Sequence, residues 1–377
     1  MRVLINGMQA GNQSGTGRYT EELIRHLAAM DGGPDLTVWW PADVPAPAWK
    51  DAVRLIPQRR GLWNRLQMER KVQRVLPDYD VVHYPASIGP LDGGPNVVVT
   101  VHDCIFLRHP EWFRWERAAY YRWAGSRSAR RAARIIADSE ATARDVRECM
   151  GIARDRIDVI PLGVDSAFAP ATPEACAAAR VRYSLPDRYF LYVGTLEPRK
   201  NLARLVRAWD SVAAELPEDL VIAGRDGWKT AGIHAAIQAA KHRDRIHLPG
   251  FIAQDDLPAV LTGARAFTWP SLYEGFGLPV LEAMACGTPV LTSNTSSLPE
   301  VTGGNALHVN PDLESEIADA LRRLSNDESL YTQLATNGPT HAATFTWQRC
   351  AQATLAVYET AARGLPPATA GARSRKR

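Results

Sequence analysis

Short, almost unbroken apolar runs alternate along this chain with longer stretches in which apolar residues return every three or four positions. The runs "RVLIN" (2–6), "DVVHY" (80–84), "NVVVTVHD" (96–103) and "RIIADS" (134–139) form a first set. "YFLYVGT" (189–195), "LVIAG" (220–224), "RIHLPGF" (245–251), "RAFTWPS" (265–271) and "PVLTSN" (289–294) form a second. Runs without polar alternation predict strands buried on both faces, which are the strands of parallel sheets. "RYTEELIRHLAAM", "NLARLVRAWDSVAAEL" and "GIHAAIQAAKH" carry helical spacing between them. The expected fold class is α/β, with two Rossmann-like doubly wound domains facing an interdomain cleft and ligands at the carboxyl ends of strands. The stretch "IPLGVDSAFAPATPEACAAARVRYSLPD", with four prolines from Pro161 to Pro186, reads as the connection between the domains. The expected bounds are 1–165 for the first domain and 166–345 for the second. A last helix over 346–363 returns toward the first domain, and a disordered basic tail covers 364–377.

Composition narrows the class without choosing an activity. A length of 377 residues suits two domains, and 46% apolar with 23% charged residues is the make-up of a soluble globular protein. A net charge of +3 argues neither for nor against nucleic acid. Five scattered cysteines with no CxxC pair predict reduced thiols rather than disulfides or a zinc site. The opening "MRVLINGMQAG" lacks the length of a signal peptide, and no later run reaches membrane-spanning length. A cytoplasmic protein is expected, at most peripheral on the inner face of the plasma membrane.

Three glycine-bearing turns carry the candidate chemistry. "GNQSGTGRYTEELIRHL" follows the first run directly. Its glycines permit unusual backbone angles, and a helix starting near Arg18 points free N–H groups into the turn, where an anion or sugar hydroxyl fits. A tight turn alone accounts for the same letters. In "YVGTLEPRKNLARL", Arg199 and Lys200 stand where a helix begins. Two cations at a helix N-terminus oppose its partial positive charge, and a diphosphate held by Lys200 as a point charge and Arg199 as a fork offsets that cost. A solvated surface pair is the alternative.

The third turn, "SLYEGFGLPVLEAM", places Glu274 as a surface glutamate before Gly275 and Gly277, with Pro279 in the first helical turn. Amides from Gly275 to Leu278 are then donors to a ligand. Glu282 lies about one turn into the helix, roughly 6 to 8 Å deeper at a 1.5 Å rise. The two carboxylates therefore bracket a polyhydroxylated ligand rather than share a proton. Glu282 is also explained as an ordinary acid favoured by the helix dipole.

These residues resemble a known family. "E-GFGLPVL-E" is similar to the E-x7-E motif of retaining GT-B glycosyltransferases of the GT4 family (group 1). "GTLEPRKN", "LPGFIAQDDLPAVLTGARAFTWPSLYEGFG" and "ACGTPVLTSNTSSLPEV" look like the same family, as do "VTVHD", "DSEATARD" and "IPLGVD". The resemblance runs from Arg2 to about Arg363 and is looser in the first half. It implies that Glu282 binds the nucleotide's ribose and that Glu274 holds donor-sugar hydroxyls near the reacting carbon. It further implies that amides of Phe276, Gly277 and Leu278 bind sugar and phosphates, that Lys200 with Arg199 neutralises the leaving diphosphate, and that Phe251 and Ile252 grip the base. In the first half, Gly15, Thr16 and Gly17 face the phosphates, and His102 with Asp103 lies beside the transferred sugar. Many relatives carry arginine directly after the glycine equivalent to Gly194, where this chain has Thr195, so Arg199 is the substitute cation.

The implied activity is a retaining, metal-independent hexosyltransferase of lipopolysaccharide (O-antigen) type. It moves mannose or rhamnose from a GDP-sugar to a polyprenyl-diphosphate-linked saccharide. A nucleotide-sugar epimerase of the same fold and a non-catalytic nucleotide-sugar-binding subunit are the competing readings. No cofactor is expected, since the nucleotide sugar is a substrate. "PDYDVV" offers Asp78 and Asp80 in a D-x-D spacing, read here as a strand entrance rather than a metal site. "FLRHPEWFRWERAAYYRWAGSRSARRAARI" (106–135) sets eight arginines against Glu111 and Glu116, with aromatics interleaved. That suits an anionic membrane surface or a lipid-diphosphate acceptor, and a solvated helix with buried aromatics fits equally. "RRGLWNRLQMERKVQRV" (59–75) is a second basic stretch for the acceptor side. No nucleic-acid-binding motif accompanies either stretch.

Overall fold

The computed structural model describes residues 1–12, 14–61, 68 and 71–364. Residues 62–67, 69 and 70 of the basic stretch 59–75 lie outside them, as does the tail from residue 365 on. The chain divides into two compact units. One is built from Met1–Gly163 with the chain from Thr346, and the other is Val164–Phe345. The proline-bearing stretch after Ile160 is therefore not a bare linker. Its helix Pro173–Arg182, capped by Thr172, packs within the second unit against the helix Leu257–Thr262.

The first unit holds a sheet of seven parallel strands in the order β3-β2-β1-β4-β5-β6-β7. The strands are β1 (Arg2–Asn6), β2 (Asp35–Pro41), β3 (Arg54–Gln58), β4 (Val81–Tyr84), β5 (Gly94–Val101), β6 (Ala132–Ala137) and β7 (Ile157–Val159). The second holds six parallel strands in the order β10-β9-β8-β11-β12-β13. These are β8 (Tyr189–Val193), β9 (Asp219–Ala223), β10 (Ile246–Gly250), β11 (Ala266–Trp269), β12 (Val290–Ser293) and β13 (Leu307–Val309). Both are the doubly wound order, in which the chain starts mid-sheet, runs to one edge and returns to fill the other side. The direction reverses between β1 and β4, and between β8 and β11. The loops leaving those strands diverge there and open a crevice above the sheet.

Helices cover the sheets for the reason the spacing gives. Helix α1 (Gly15–Ala28) buries Tyr19, Leu23, Ile24 and Leu27, which fall on one side at 3.6 residues per turn. It starts at Gly15, three residues earlier than the sequence implies, so Gly15, Thr16 and Gly17 form its first turn. A Cβ on Gly17 would lie 1.9 Å from the Asn12 carbonyl oxygen, so this glycine lets the turn close onto the helix. Helix α2 (Trp115–Arg131) leads into β6. Helix α3 (Glu140–Met150) is capped by the Ser139 side chain and ends at Gly151 in the left-handed region. In the second unit, α4 (Leu202–Asp210) and α5 (Leu278–Ala285) follow β8 and β11.

The last helix, α6 (Trp347–Ala362), buries Trp347, Cys350, Ala351, Thr354, Val357, Tyr358 and Ala361 and packs on α1, β4, β5 and β6. Its Tyr358 hydroxyl lies 2.7 Å from Nδ1 of His83, whose Nε2 is 2.8 Å from Thr100. Full burial, with His102 nearby, pushes the His83 pKa down to about 3, so this histidine is a neutral structural group.

Candidate active site

The second unit assembles a cluster of charges at its switch point. β8 leads through Gly194 into a single turn of 3₁₀ helix, Pro198–Lys200, and Asn201 follows with φ +62° before α4 begins. Arg199 and Lys200 therefore precede the helix rather than sit in its first turn, and they face the neighbouring loop. β11 leads through Pro270 into that loop, which carries Glu274. The two loops are sewn together by the backbone. Leu272 N–H donates to the Arg199 carbonyl at 2.8 Å, the Ser271 hydroxyl to the same oxygen at 3.0 Å, and Asn201 Nδ2 to the Pro270 carbonyl at 3.1 Å.

Glu274 is buried, not the surface glutamate that its glycine-rich setting implies. Its Oε1 accepts from Lys200 Nζ at 2.6 Å and Trp269 Nε1 at 3.1 Å, and its Oε2 accepts from Arg199 at 2.5 Å. Burial raises the cost of its charge, but Arg199 and Lys200 outweigh that and hold its pKa down at about 2. The loop after β12 fixes its backbone. Ser296 Oγ accepts the Glu274 N–H at 3.0 Å, while Ser297 Oγ donates to the carbonyls of Glu274 and Phe276 at 3.0 and 2.8 Å.

Lys200 lies over the Trp269 ring, 4.1 Å from its centroid. Burial, reinforced by the adjacent Arg199 cation, pulls its pKa down to about 8 despite the Glu274 partner. Arg199 Nε pairs with Glu197 at 2.5 Å. The cluster thus holds two cations and two carboxylates. The side chains of Glu197, Lys200 and Glu274 are at most 8% exposed and that of Arg199 is 23% exposed, so an incoming anion meets Arg199 first.

The remaining second-unit candidates take these places. Gly277 has φ +112° as the residue before α5, and Pro279 occupies the first helical turn. Pro279 has no N–H, and those of Val280 and Leu281 donate to the Gly277 carbonyl at 3.0 and 3.3 Å, so a donor at this helix end comes from Leu278 or the residues before it. Glu282 is buried one turn further on, and Phe276 and Leu278 are buried around the turn. A Cβ on Gly194 would meet the Tyr192 hydroxyl at 2.9 Å and Trp269 at 3.1 Å, so this glycine keeps the strand exit narrow. Thr195 lies in the same exit, beside the pairing of Leu196 with Asp226. Phe251 is 45% exposed with the Arg225 guanidinium 4.4 Å from its ring centroid, and Ile252 next to it is buried.

In the first unit, His102 and Asp103 leave β5. His102 Nδ1 lies 2.6 Å from Asp138, which follows β6, and Nε2 lies 3.3 Å from the Pro85 carbonyl. Burial works against its charge, yet Asp138 raises the His102 pKa above the ordinary value. Asp103 Oδ1 accepts from Ile105 N–H at 3.1 Å and so shapes the turn after the strand. Asp80 accepts from the Arg2 N–H at 2.7 Å, which makes it part of the β1–β4 strand entrance.

Sequence reading missed Glu197, Trp269, Ser296, Ser297 and Asp138. All five lie inside or beside stretches already quoted as family-like. The available signals were a carboxylate two residues ahead of Arg199 and one directly before the cap Ser139.

The two halves each match a family. Residues 180–341 match the family described as "Glycosyl transferases group 1" and residues 13–168 match "Glycosyltransferase Family 4". The chain belongs to the group 1, family 4 glycosyltransferases, and its two doubly wound units are the GT-B architecture of that class. It is 29% identical to "O-antigen chain mannosyltransferase B" of Escherichia coli, over 92% of this chain and 96% of that one. It is 33% identical to "Serotype-specific mannosyltransferase WbdA" of Escherichia coli over 71% of this chain but only 34% of that protein, so it spans about a third of the WbdA length. Among solved structures, the sucrose-phosphate synthase of Thermosynechococcus elongatus superposes with a TM-score of 0.76 at 20% identity, covering 96% of this chain and 98% of that one.

Proposed function

We propose that this chain transfers mannose from a nucleoside-diphosphate mannose to a lipid-linked saccharide, with retention of configuration and without a metal ion. The observation that carries the proposal is the cluster of Arg199, Lys200 and Glu274 at the switch point of the second unit. Cations stabilise negative charge developing on a leaving diphosphate, and a fixed carboxylate accepts from sugar hydroxyls. The bond between the anomeric carbon and the phosphate oxygen breaks, and the leaving diphosphate takes its electron pair. The acceptor oxygen bonds to the same face of that carbon, and its proton passes to the departing phosphate oxygen. Glu282 takes the ribose, amides of Phe276, Gly277 and Leu278 take sugar and phosphates, and Phe251 with Ile252 meets the base. Relatives named as mannosyltransferases favour mannose over rhamnose, and GDP is the first nucleotide to test.

The test is an assay with GDP-, UDP- and ADP-sugars, lipid-diphosphate acceptors and product analysis by NMR. The expected result is an α-linked mannose from an α-linked donor, with full turnover in EDTA. Release of an altered free sugar identifies an epimerase, binding without turnover identifies a non-catalytic subunit, and a strict metal requirement overturns the metal-free reading.

The acceptor reading includes membrane contact at the inner face of the plasma membrane. Several arginines of the 106–135 stretch are drawn into pairs: Arg108 with Asp145 and Glu148, Arg127 and Arg131 with Asp92, and Arg134 with Asp158. The aromatics divide. Phe106 stacks on Tyr121 and packs at a tilt against Phe113, whereas Trp115 and Trp123 of α2 are 76% and 56% exposed. Arg122 lies exposed between them, and seven- and eight-residue spacings bring Trp115, Arg122 and Trp123 to one side of the helix. Among the described residues no helix is long and apolar enough to cross a membrane. Cosedimentation with phosphatidylglycerol vesicles is expected to fall several-fold in Trp115→Ala and Trp123→Ala. Unchanged partition in both removes the membrane from the account.

A further inference from the structure

Three contacts hold the His102 ring. Nδ1 is 2.6 Å from Asp138 Oδ2, Nε2 is 3.3 Å from the Pro85 carbonyl, and Tyr19 of α1 meets the ring at 4.9 Å with planes at 82°. Both nitrogens therefore face oxygens that can only accept. A neutral imidazole has one N–H, so one of its lone pairs would oppose a carboxylate or a carbonyl. Asp138 makes the same demand from its own side. It is 2% exposed, and its other oxygen, Oδ1, is buried with no hydrogen-bond partner among the described residues. A buried carboxylate so sparsely served is stable only against a cation.

We propose that Asp138 is a positioning residue that keeps His102 doubly protonated and aimed, so that His102 presents a fixed N–H donor to a substrate sugar oxygen and does not act as a base. This deepens the glycosyltransferase reading and rests on it for the identity of the ligand. The long contact to Pro85 is the one that a ligand oxygen can share, since Nδ1 is committed to Asp138. His102 keeps 15% of its side chain accessible, which is enough for that single contact. With His102 unable to accept a proton, the acceptor's proton has the leaving phosphate as its destination.

The groups around the ring agree on the sign. Asp138 follows β6 and Asp103 is next in the chain, and both favour the cation. Tyr19 comes from α1, and its own pKa is raised by burial, so it is an uncharged neighbour. His83 on β4 is neutral, and Cys350 of α6, beside Asp138, is held as a thiol mainly by burial. The donor role is therefore present at low and neutral pH and is lost as pH rises through the elevated His102 value.

Asp138→Asn tests this, because it keeps an oxygen acceptor at Nδ1 and removes the charge. The readouts are nitrogen NMR of the His102 ring against pH and the pH profile of kcat/KM. The wild-type ring is expected to be doubly protonated at neutral pH. In Asp138→Asn its titration moves to lower pH, the alkaline fall of kcat/KM moves with it, and transfer per folded molecule at neutral pH drops. A wild-type His102 that is neutral at pH 7, or a titration unmoved in Asp138→Asn, overturns the proposal. The ring measurement needs no turnover. An inactive protein with a protonated His102 counts against the transferase reading, and an active one with a neutral His102 counts against this inference alone.

Discussion

Glu274→Gln lowers sugar transfer by at least about 10²-fold, the scale expected when one fixed electrostatic group is removed from a reacting centre. Glutamine keeps the size and one acceptor oxygen, so the loss measures charge. The native carboxylate, with a pKa near 2, is ionised at every working pH and accepts at once from Lys200, Arg199 and the Trp269 indole. The same substitution costs about 3–5 kcal/mol of stability in the second unit, because breaking a buried pair strands its partner. Lys200 is the stranded group, since Arg199 retains Glu197. Urea unfolding reads the stability and steady-state kinetics on the folded fraction reads the chemistry. Near-normal turnover per folded molecule removes Glu274 from the mechanism.

Lys200→Ala is the second large effect, again at least about 10²-fold in transfer, with a smaller penalty in stability than Glu274→Gln. Glu274 keeps Arg199 and the indole N–H, so no charge is stranded. The variant also tests an unusual pH dependence. Burial, aided by Arg199, pulls the Lys200 pKa to about 8, well below the usual lysine value of about 10.4. The ammonium is present below that value and is lost above it. Diphosphate affinity should therefore weaken as pH rises through 8, and Lys200→Ala should flatten that part of the profile. Affinity that holds steady to pH 10 in the wild type contradicts the assignment.

The central strands were legible because a parallel sheet writes itself as bare apolar runs. β1, β4, β5, β6 and β8 to β12 all lie on such runs. The strands that went unread have no such text. β3 ("RLIPQ") carries Pro57 at a sheet edge, β7 and β13 are three-residue edge strands, and β2 ends in Trp39-Trp40-Pro41 rather than in aliphatic residues. The site was legible as loops, not as contacts. The glycines and cations of "GTLEPRKN" and "SLYEGFGLP" mark where the chain leaves β8 and β11, but adjacency of those loops follows from strand order. That is why Glu274 reads as a surface residue in its own loop yet is enclosed by Lys200 and Trp269. Glu197 and Asp138 escaped for the same reason. Each looks like an ordinary acid beside a turn, and only the fold brings Arg199 or His102 to it.

The most direct test of the central claim, that the Arg199–Lys200 cation pair of the second unit grips a diphosphate, is calorimetric titration of GDP against GMP, with UDP and UMP alongside. Measured on the wild type and on Lys200→Ala, it should show the wild type preferring a diphosphate over its monophosphate and the variant losing most of that preference. Equal affinity of the wild type for the di- and monophosphate of every base, or a preference untouched by the substitution, would contradict it.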